Sequence, residues 1–239
     1  MSITFENQEA QFVEAAASLG IAIDGLAASK FARLATLLEE GNRRLNLTRV
    51  APEDVMTLHF LDSLAAAAVW RPQPEDRLID VGTGPGFPGL ALAIAFPNLE
   101  VTLLDGTRKK LDFIDQVISE LSIHNARTLH GRAEVIGRMP KHRGAYDTAT
   151  ARAVAKLPEL TGWMLPLVRP GGIAIAYKSR DVEAEVAEAR RIVARLGGEF
   201  ERVAQVQLPT TEIVRTMVVI RKAVSPVRSA VHQKGKPRQ

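Results

Sequence analysis

The chain has 239 residues, 46% of them apolar, with 31 lysines and arginines, 27 acids and no cysteine. That supplies one sizeable domain with a full core, plus a small attachment. The missing thiols exclude disulfides, cysteine-ligated zinc, iron–sulfur clusters and cysteine nucleophiles, and they fit a reducing cytoplasm, the expected location.

The opening stretch MSITFENQEAQF has no basic-then-apolar leader, and the longest apolar run, LAAAAVW (64–70), is too short to cross a bilayer. A soluble protein is expected. FENQEAQFVEAAASLG has helical spacing and stops at Gly20; FARLATLLEEGNRRLN repeats it with Leu34, Leu37 and Leu38 on one face. APEDVMTLHFLDSLAAAAVW opens on Pro52, Glu53 and Asp54, which suits the first turn of a third helix. RPQPED then punctuates. Residues 1–70 are therefore expected to form a helical cap.

Beyond residue 76 the period changes. Strands are expected at RLIDV (77–81), EVTLLD (100–105), ARTLHG (126–131), YDTATA (146–151) and GGIAIAYK (171–178), with helices between them. EFERVAQVQL and EIVRTMVVIRK read as two more strands joined by a short loop, which forces an antiparallel pair. The expected fold is α/β: a Rossmann-like, seven-stranded, mostly parallel sheet whose last strand is reversed, spanning 71–222. Residues 223–239 form a basic tail. Six bases and no acid lie from Arg221 onward, leaving 25 bases against 27 acids in the rest. Lys234 and Lys236 in that tail are candidates for phosphate contact, as are Arg43, Arg44 and Arg49 in the cap, where Lys30 and Arg33 add to the charge.

The stretch DVGTGPGFPG (80–89) lies between the first strand and its helix, at the carboxyl end where open α/β sheets bind ligands. Two registers compete. Gly84 to Gly89 match G-x-G-x-x-G of dinucleotide-binding modules. Asp80, Gly82, Gly84 and Gly86 match D-x-G-x-G-x-G, the S-adenosylmethionine loop of seven-stranded methyltransferases. Pro85 and Pro88 delete N–H donors that a pyrophosphate would need. The Asp80 carboxylate would repel a pyrophosphate and suit an ammonium. Both points favour the second register. Asp105, at the second strand's end, is placed to take ribose hydroxyls in either cofactor class or to cap the next helix. Ala133 and Glu134 stand where an adenine edge would be read.

At the fourth strand's end TATARAV replaces the Asn/Asp-Pro-Pro-aromatic stretch of amino-group methyltransferases, and no cysteine exists for pyrimidine carbon-5 chemistry. An acceptor that is already nucleophilic remains, guanine N7 among them, or an oxygen with a lysine base. Arg152 and Lys178, ending the fourth and fifth strands, would orient substrate and hold phosphates; His59 is a further RNA candidate. No metal is expected.

Taken in order, NLTRV (46–50), HFLDS (59–63), DVGTGPGFPG, LLDGTRKKLDF (103–113), GRAE (131–134) and TARAV (150–154) resemble the bacterial small-subunit rRNA methyltransferase G family, also called glucose-inhibited division protein B. The resemblance runs from about residue 30 to about 222. It implies S-adenosylmethionine as cofactor and methylation of N7 of a guanosine (527 in customary rRNA numbering) in the 530 loop of 16S rRNA, in the cytoplasm. The partner would be 16S rRNA or an assembling small subunit, and the protein is expected to be a monomer. Carried over by residue, the cofactor would lie on Gly82, Phe87, Ala133, Glu134 and Arg152, with Asp105 beside the ribose. Tyr177-Lys178-Ser179 departs from the family's usual Leu-Lys-Gly, and the tail lacks its usual Pro-Leu ending. A methyltransferase of another RNA or of a small molecule, and a nicotinamide-binding module, are the competing expectations.

Overall fold

The computed structural model describes residues 6–179 and 181–224; the tail lysines 234 and 236 lie outside them. Two long helices come first, α1 (Glu6–Ser18) and α2 (Gly25–Leu45). Asp24 caps α2 by accepting a hydrogen bond from the Ala27 amide, and Asn46, left-handed at φ 50°, ends it.

The third expected helix is not one regular helix. Residues 52–68 run as a 3₁₀ turn (Pro52–Asp54), a π turn (Met56–Leu61), one α turn, α3 (Asp62–Leu64), and a second 3₁₀ turn (Ala65–Ala68). His59, Phe60, Asp62 and Ser63 all have to point inward from this short run, more than one α-helical face can present.

The remainder alternates as the sequence predicts: β1 (Arg77–Val81), α4 (Gly89–Ala95), β2 (Glu100–Asp105), α5 (Arg108–Glu120), β3 (Ala126–His130), α6 (Ala133–Ile136), β4 (Tyr146–Arg152), α7 (Leu157–Met164), β5 (Val168–Lys178), α8 (Glu183–Arg195), β6 (Gly198–Gln207) and β7 (Val214–Lys222). The short α6 has no counterpart in the sequence reading, because four residues carry too little periodicity. The sheet order is β3-β2-β1-β4-β5-β7-β6, with β7 antiparallel to both neighbours and the other pairings parallel.

Strand alternation divides the core. Leu78, Val101 and Leu103 pack with α1, α2, α4 and α5 on one face, around Phe12, Phe31 and Phe60. Ile79, Val81 and Leu104 pack on the other with Leu157, Leu160 and Val193 of α7 and α8. Ala65 and Ala66 lie over Ile175 and Met217, extending the first layer across β5 and β7. The N-terminal helices thus share one core with the sheet. Phe12, Phe31 and Phe60 form an aromatic cluster of edge-to-face and tilted pairs, with centroids 4.8 to 6.1 Å apart.

Candidate functional site

The glycine loop leaves β1 at the sheet's carboxyl edge, beside the switch point between β1 and β4. Its backbone is pinned to the neighbouring strand: the amides of Gly82 and Thr83 both donate to the Leu104 carbonyl, at 2.8 and 3.0 Å. Gly82, Gly84 and Gly86 all have positive φ (69°, 61° and 110°). The surroundings of two of them differ sharply. A Cβ on Gly82 would meet the Val154 side chain at 2.8 Å, whereas a Cβ on Gly84 would meet nothing within 4 Å. Gly82 is needed for packing; Gly84 presents bare backbone to open space.

Asp80 takes a place the sequence reading did not foresee. It is wholly buried, and its carboxylate accepts hydrogen bonds from Thr83 Oγ1 (2.6 Å), the Gly89 amide (2.9 Å) and Thr150 Oγ1 (3.1 Å). The expected partner for a ligand ammonium is therefore a brace inside the loop, tying its start, its end and β4 together. Burial lifts its pKa from 3.8 to about 6, against the pull of those hydrogen bonds and of Arg152. Asp105 stands closer to the expected position. It is 8% exposed, with Oδ2 accepting from the Gly84 amide (3.0 Å) and Oδ1 from the Thr107 amide (2.8 Å). Thr107 is the N-cap position of α5, so Asp105 braces the helix start as well. Each oxygen keeps a second lone pair for a hydroxyl.

Phe87 contributes no ring to the surface. It is buried, stacked on His59 with centroids 4.6 Å apart and planes 11° from parallel. Ala133 is buried at the start of α6 and Glu134 beside it is exposed.

At the β4 end Arg152 is held on every side. Nη1 donates to Asp62 Oδ2 and to the Leu58 carbonyl, each at 3.0 Å, and Nη2 approaches His59 Nδ1 at 3.1 Å. Its Cζ lies 5.8 Å from the Phe87 ring centre. A guanidinium has no acceptor, so Nδ1 must accept, and Nε2–H donates to Thr48 Oγ1 at 2.8 Å. Thr48 Oγ1 also accepts from the Val50 amide, which explains the NLTRV motif as the seat of this histidine. Burial, helped by Arg152, lowers the His59 pKa from 6.5 to about 3. His59 is consequently a neutral core residue with both nitrogens engaged, and the expectation that it meets RNA is corrected.

Lys178 is also tied down. Its ammonium donates to the Ala155 carbonyl at 3.0 Å and pairs with Glu185 at 2.7 Å, while the same Glu185 oxygen accepts from the Leu157 amide. It fixes α7 and α8 to β5 and is not a free phosphate clamp. In the cap, Lys30 donates to the Ser122 carbonyl and Arg33 pairs with Glu120, so both fasten α2 to α5. Arg43 pairs with Glu39, whereas Arg44 and Arg49 are exposed.

Two residues of this cluster escaped sequence reading. Asp62 accepts from Arg152 on one oxygen and from Arg215 Nε on the other, at 3.0 and 2.9 Å, joining α3 to β4 and β7. Asp62 lies inside the HFLDS motif, but Arg215, 153 positions away, carried no local signal. Among the described residues, no group of histidines and acids is placed to hold a metal ion, and no helix is long and apolar enough to cross a membrane.

The family described as GidB, rRNA small subunit methyltransferase G, matches residues 27–214. A ribosomal RNA small subunit methyltransferase G of Thermoanaerobacter sp. (strain X514) is 40% identical over 211 residues, covering 88% of each chain. One from Roseiflexus castenholzii is 43% identical over 221 residues, covering 92% of this chain and 93% of the relative. Among solved structures, geranyl diphosphate C-methyltransferase from Streptomyces coelicolor A3(2), in complex with Mg²⁺, geranyl diphosphate and S-adenosyl-L-homocysteine, matches with a TM-score of 0.51 at 12% identity, over 68% of this chain and 77% of that one; this likeness concerns the fold. With a class I methyltransferase sheet, a glycine loop at its switch point and relatives that align along most of the chain, the protein belongs to the rRNA small subunit methyltransferase G family.

Proposed function

We propose that this chain transfers a methyl group from S-adenosylmethionine to N7 of a guanosine in the 530 loop of 16S rRNA. The observation that carries the cofactor reading is Gly84: left-handed backbone, open space where a side chain would be, and its amide fixed on Asp105. Such a surface lets a flat or branched ligand lie directly against the main chain. In this reading Gly82, Gly84 and Gly86 shape the cradle for the amino-acid portion, Asp105 meets the ribose, and Ala133 and Glu134 border the adenine. Phe87 contributes through its backbone, and Arg152 stands at the acceptor side. When bound, the cofactor supplies an electrophilic methyl group on a sulfonium.

Guanine N7 offers a free lone pair, so no proton leaves before transfer. That fits a site whose histidine, His59, is buried, neutral and engaged on both nitrogens. Catalysis is then mainly positioning, which can supply ~7–11 kcal/mol when the reacting atoms are held ~3–3.5 Å apart. The chain's part is a rigid frame: Asp80 keeps the loop, and Asp62 keeps Arg152.

Calorimetric titration tests the cofactor half. Wild type should bind S-adenosylmethionine and not NAD, and Gly84→Val, whose left-handed backbone strain lowers its melting temperature, should lose that binding at a temperature where it is still fully folded. Normal binding by the variant would place the cofactor elsewhere.

A further inference from the structure

Many of the arginines and lysines on the described surface are neutralised. Arg33, Arg77, Arg152, Arg169, Lys178, Arg215 and Arg221 all pair with a carboxylate. Exposed bases without an ion pair also stand in the N-terminal helices (Arg44, Arg49) and on α8 (Arg190, Arg191), and one region holds a denser run of them. From residue 126 to 146 there are five bases and a single acid, Glu134, a net +4 within 21 residues, equal to the formal charge of the whole chain. Arg127, Arg132, Arg138 and Lys141 in that stretch, and Arg108 and Lys109 at the start of α5, are all exposed. None of the six has an ion pair or a side-chain hydrogen bond among the described residues.

These charges form one strip. β3 is an edge strand of the sheet, so its outer side has no covering strand. The Arg132 side chain lies against Gly106, where a Cβ would stand 3.2 Å from its Nε, which joins the α6 entry to the approach to α5. At the other end, burial together with Lys141, Arg127 and Arg77 holds the His142 pKa below its usual value, a sign that positive potential accumulates there. Val135 and Met139, 50% and 42% exposed, interleave the bases with apolar surface.

We propose that this strip, from the start of α5 across α6 to the loop before β4, is the surface that docks the phosphate backbone of the RNA substrate. Unpaired cations bind phosphates without first breaking an internal ion pair, and releasing counterions drives the association. The apolar pair offers contact to riboses or bases. Because the strip starts beside Asp105 and Glu134, RNA held there is led directly to the glycine loop. The inference rests on the RNA-methylating reading above, and it shifts the weight of RNA binding from the cap helices to the β3 edge.

The test uses the full chain and 16S rRNA. Arg138→Glu combined with Lys141→Glu is compared with a control of equal charge change on α8, Arg190→Glu with Arg191→Glu, where both bases are exposed. Binding is measured against potassium chloride concentration, and methyl transfer is measured in parallel. The strip variant should lower the slope of log affinity against log salt by about 1.4–1.8, since each of the two phosphates left without its cation takes away about 0.7–0.9. Its KM for RNA should rise at least about tenfold at ~0.15 M salt, with kcat at saturating RNA and affinity for S-adenosylmethionine unchanged. The control should behave as wild type. Equal losses in strip variant and control, or a wild-type slope in the strip variant, would overturn the docking surface. If wild type binds this RNA with the steep slope but transfers no methyl group, the methylation reading falls and the docking surface stands.

Discussion

At the scale of single residues, the loop DVGTGPGFPG separates two uses of glycine that look alike in sequence. Gly82→Ala puts a Cβ 2.8 Å from Val154 on a backbone at φ 69°, so both a clash and left-handed strain of about 1–2 kcal/mol oppose it. Gly84→Ala meets only the strain. Urea unfolding should therefore show the larger loss for Gly82→Ala. Equal losses would mean that Val154 yields. His59 gives a pH prediction. Its pKa is about 3 in the folded protein and near 6.5 unfolded, so below pH 6.5 the unfolded chain binds the proton first. Its contribution is complete above pH 6.5 and is lost at about 1.4 kcal/mol per unit as pH falls toward 3. Asp80 acts oppositely: its folded pKa is raised from 3.8 to about 6, so its contribution is full below 3.8 and is lost as pH rises through 6. The difference between wild type and His59→Gln isolates the histidine. That difference should shrink steadily from pH 7 to pH 4.5, and a constant difference would show that His59 takes up its proton while folded.

At the scale of elements, the parallel strands and their helices were legible because short apolar runs alternate with segments of helical spacing: EVTLLD, buried at every position but its first, begins and ends where β2 does. The segment 52–68 was not. Its composition reads as a helix, but the inward demands of His59, Asp62 and Ser63 win over propensity and break it into successive short turns. Within the candidate site, Gly84 and Asp105 stand where local motif spacing put them. The cluster around Asp62 was invisible, since it is assembled from residues on α3, β4 and β7 that meet only in the folded chain. Asp62 is almost wholly buried and serves two arginines, so Asp62→Ala removes the carboxylate that pairs with both cations. The expected cost is on the order of 3–5 kcal/mol. A denaturant midpoint for Asp62→Ala within error of wild type would show that water replaces the carboxylate freely. Lys178→Met should instead loosen the α8 packing and leave cofactor affinity unchanged, because Lys178 pairs with Glu185 of α8 and ends β5, two strands away from β1 and its glycine loop. A large fall in affinity would return Lys178 to the site.

At the scale of the whole molecule, charge is divided by pairing more than by count. Lys30 and Arg33 hold α2 on α5, while a run of unmatched bases lies at the start of α5, on β3, at the start of α6 and in the loop before β4. The same sheet that buries two apolar layers presents the glycine loop, Asp105 and Arg152 at the carboxyl ends of β1, β2 and β4, with a run of exposed bases nearby. The most direct measurement supplies labelled S-adenosylmethionine to the purified protein together with 16S rRNA, or small subunits, from cells lacking the gene. Borohydride and aniline cleavage followed by primer extension then maps any N7-methylguanosine. A single new stop within the 530 loop, absent with Gly84→Val, is the predicted result. A protein that binds the cofactor yet produces no stop there, or a stop elsewhere in the rRNA, would contradict the proposed reaction.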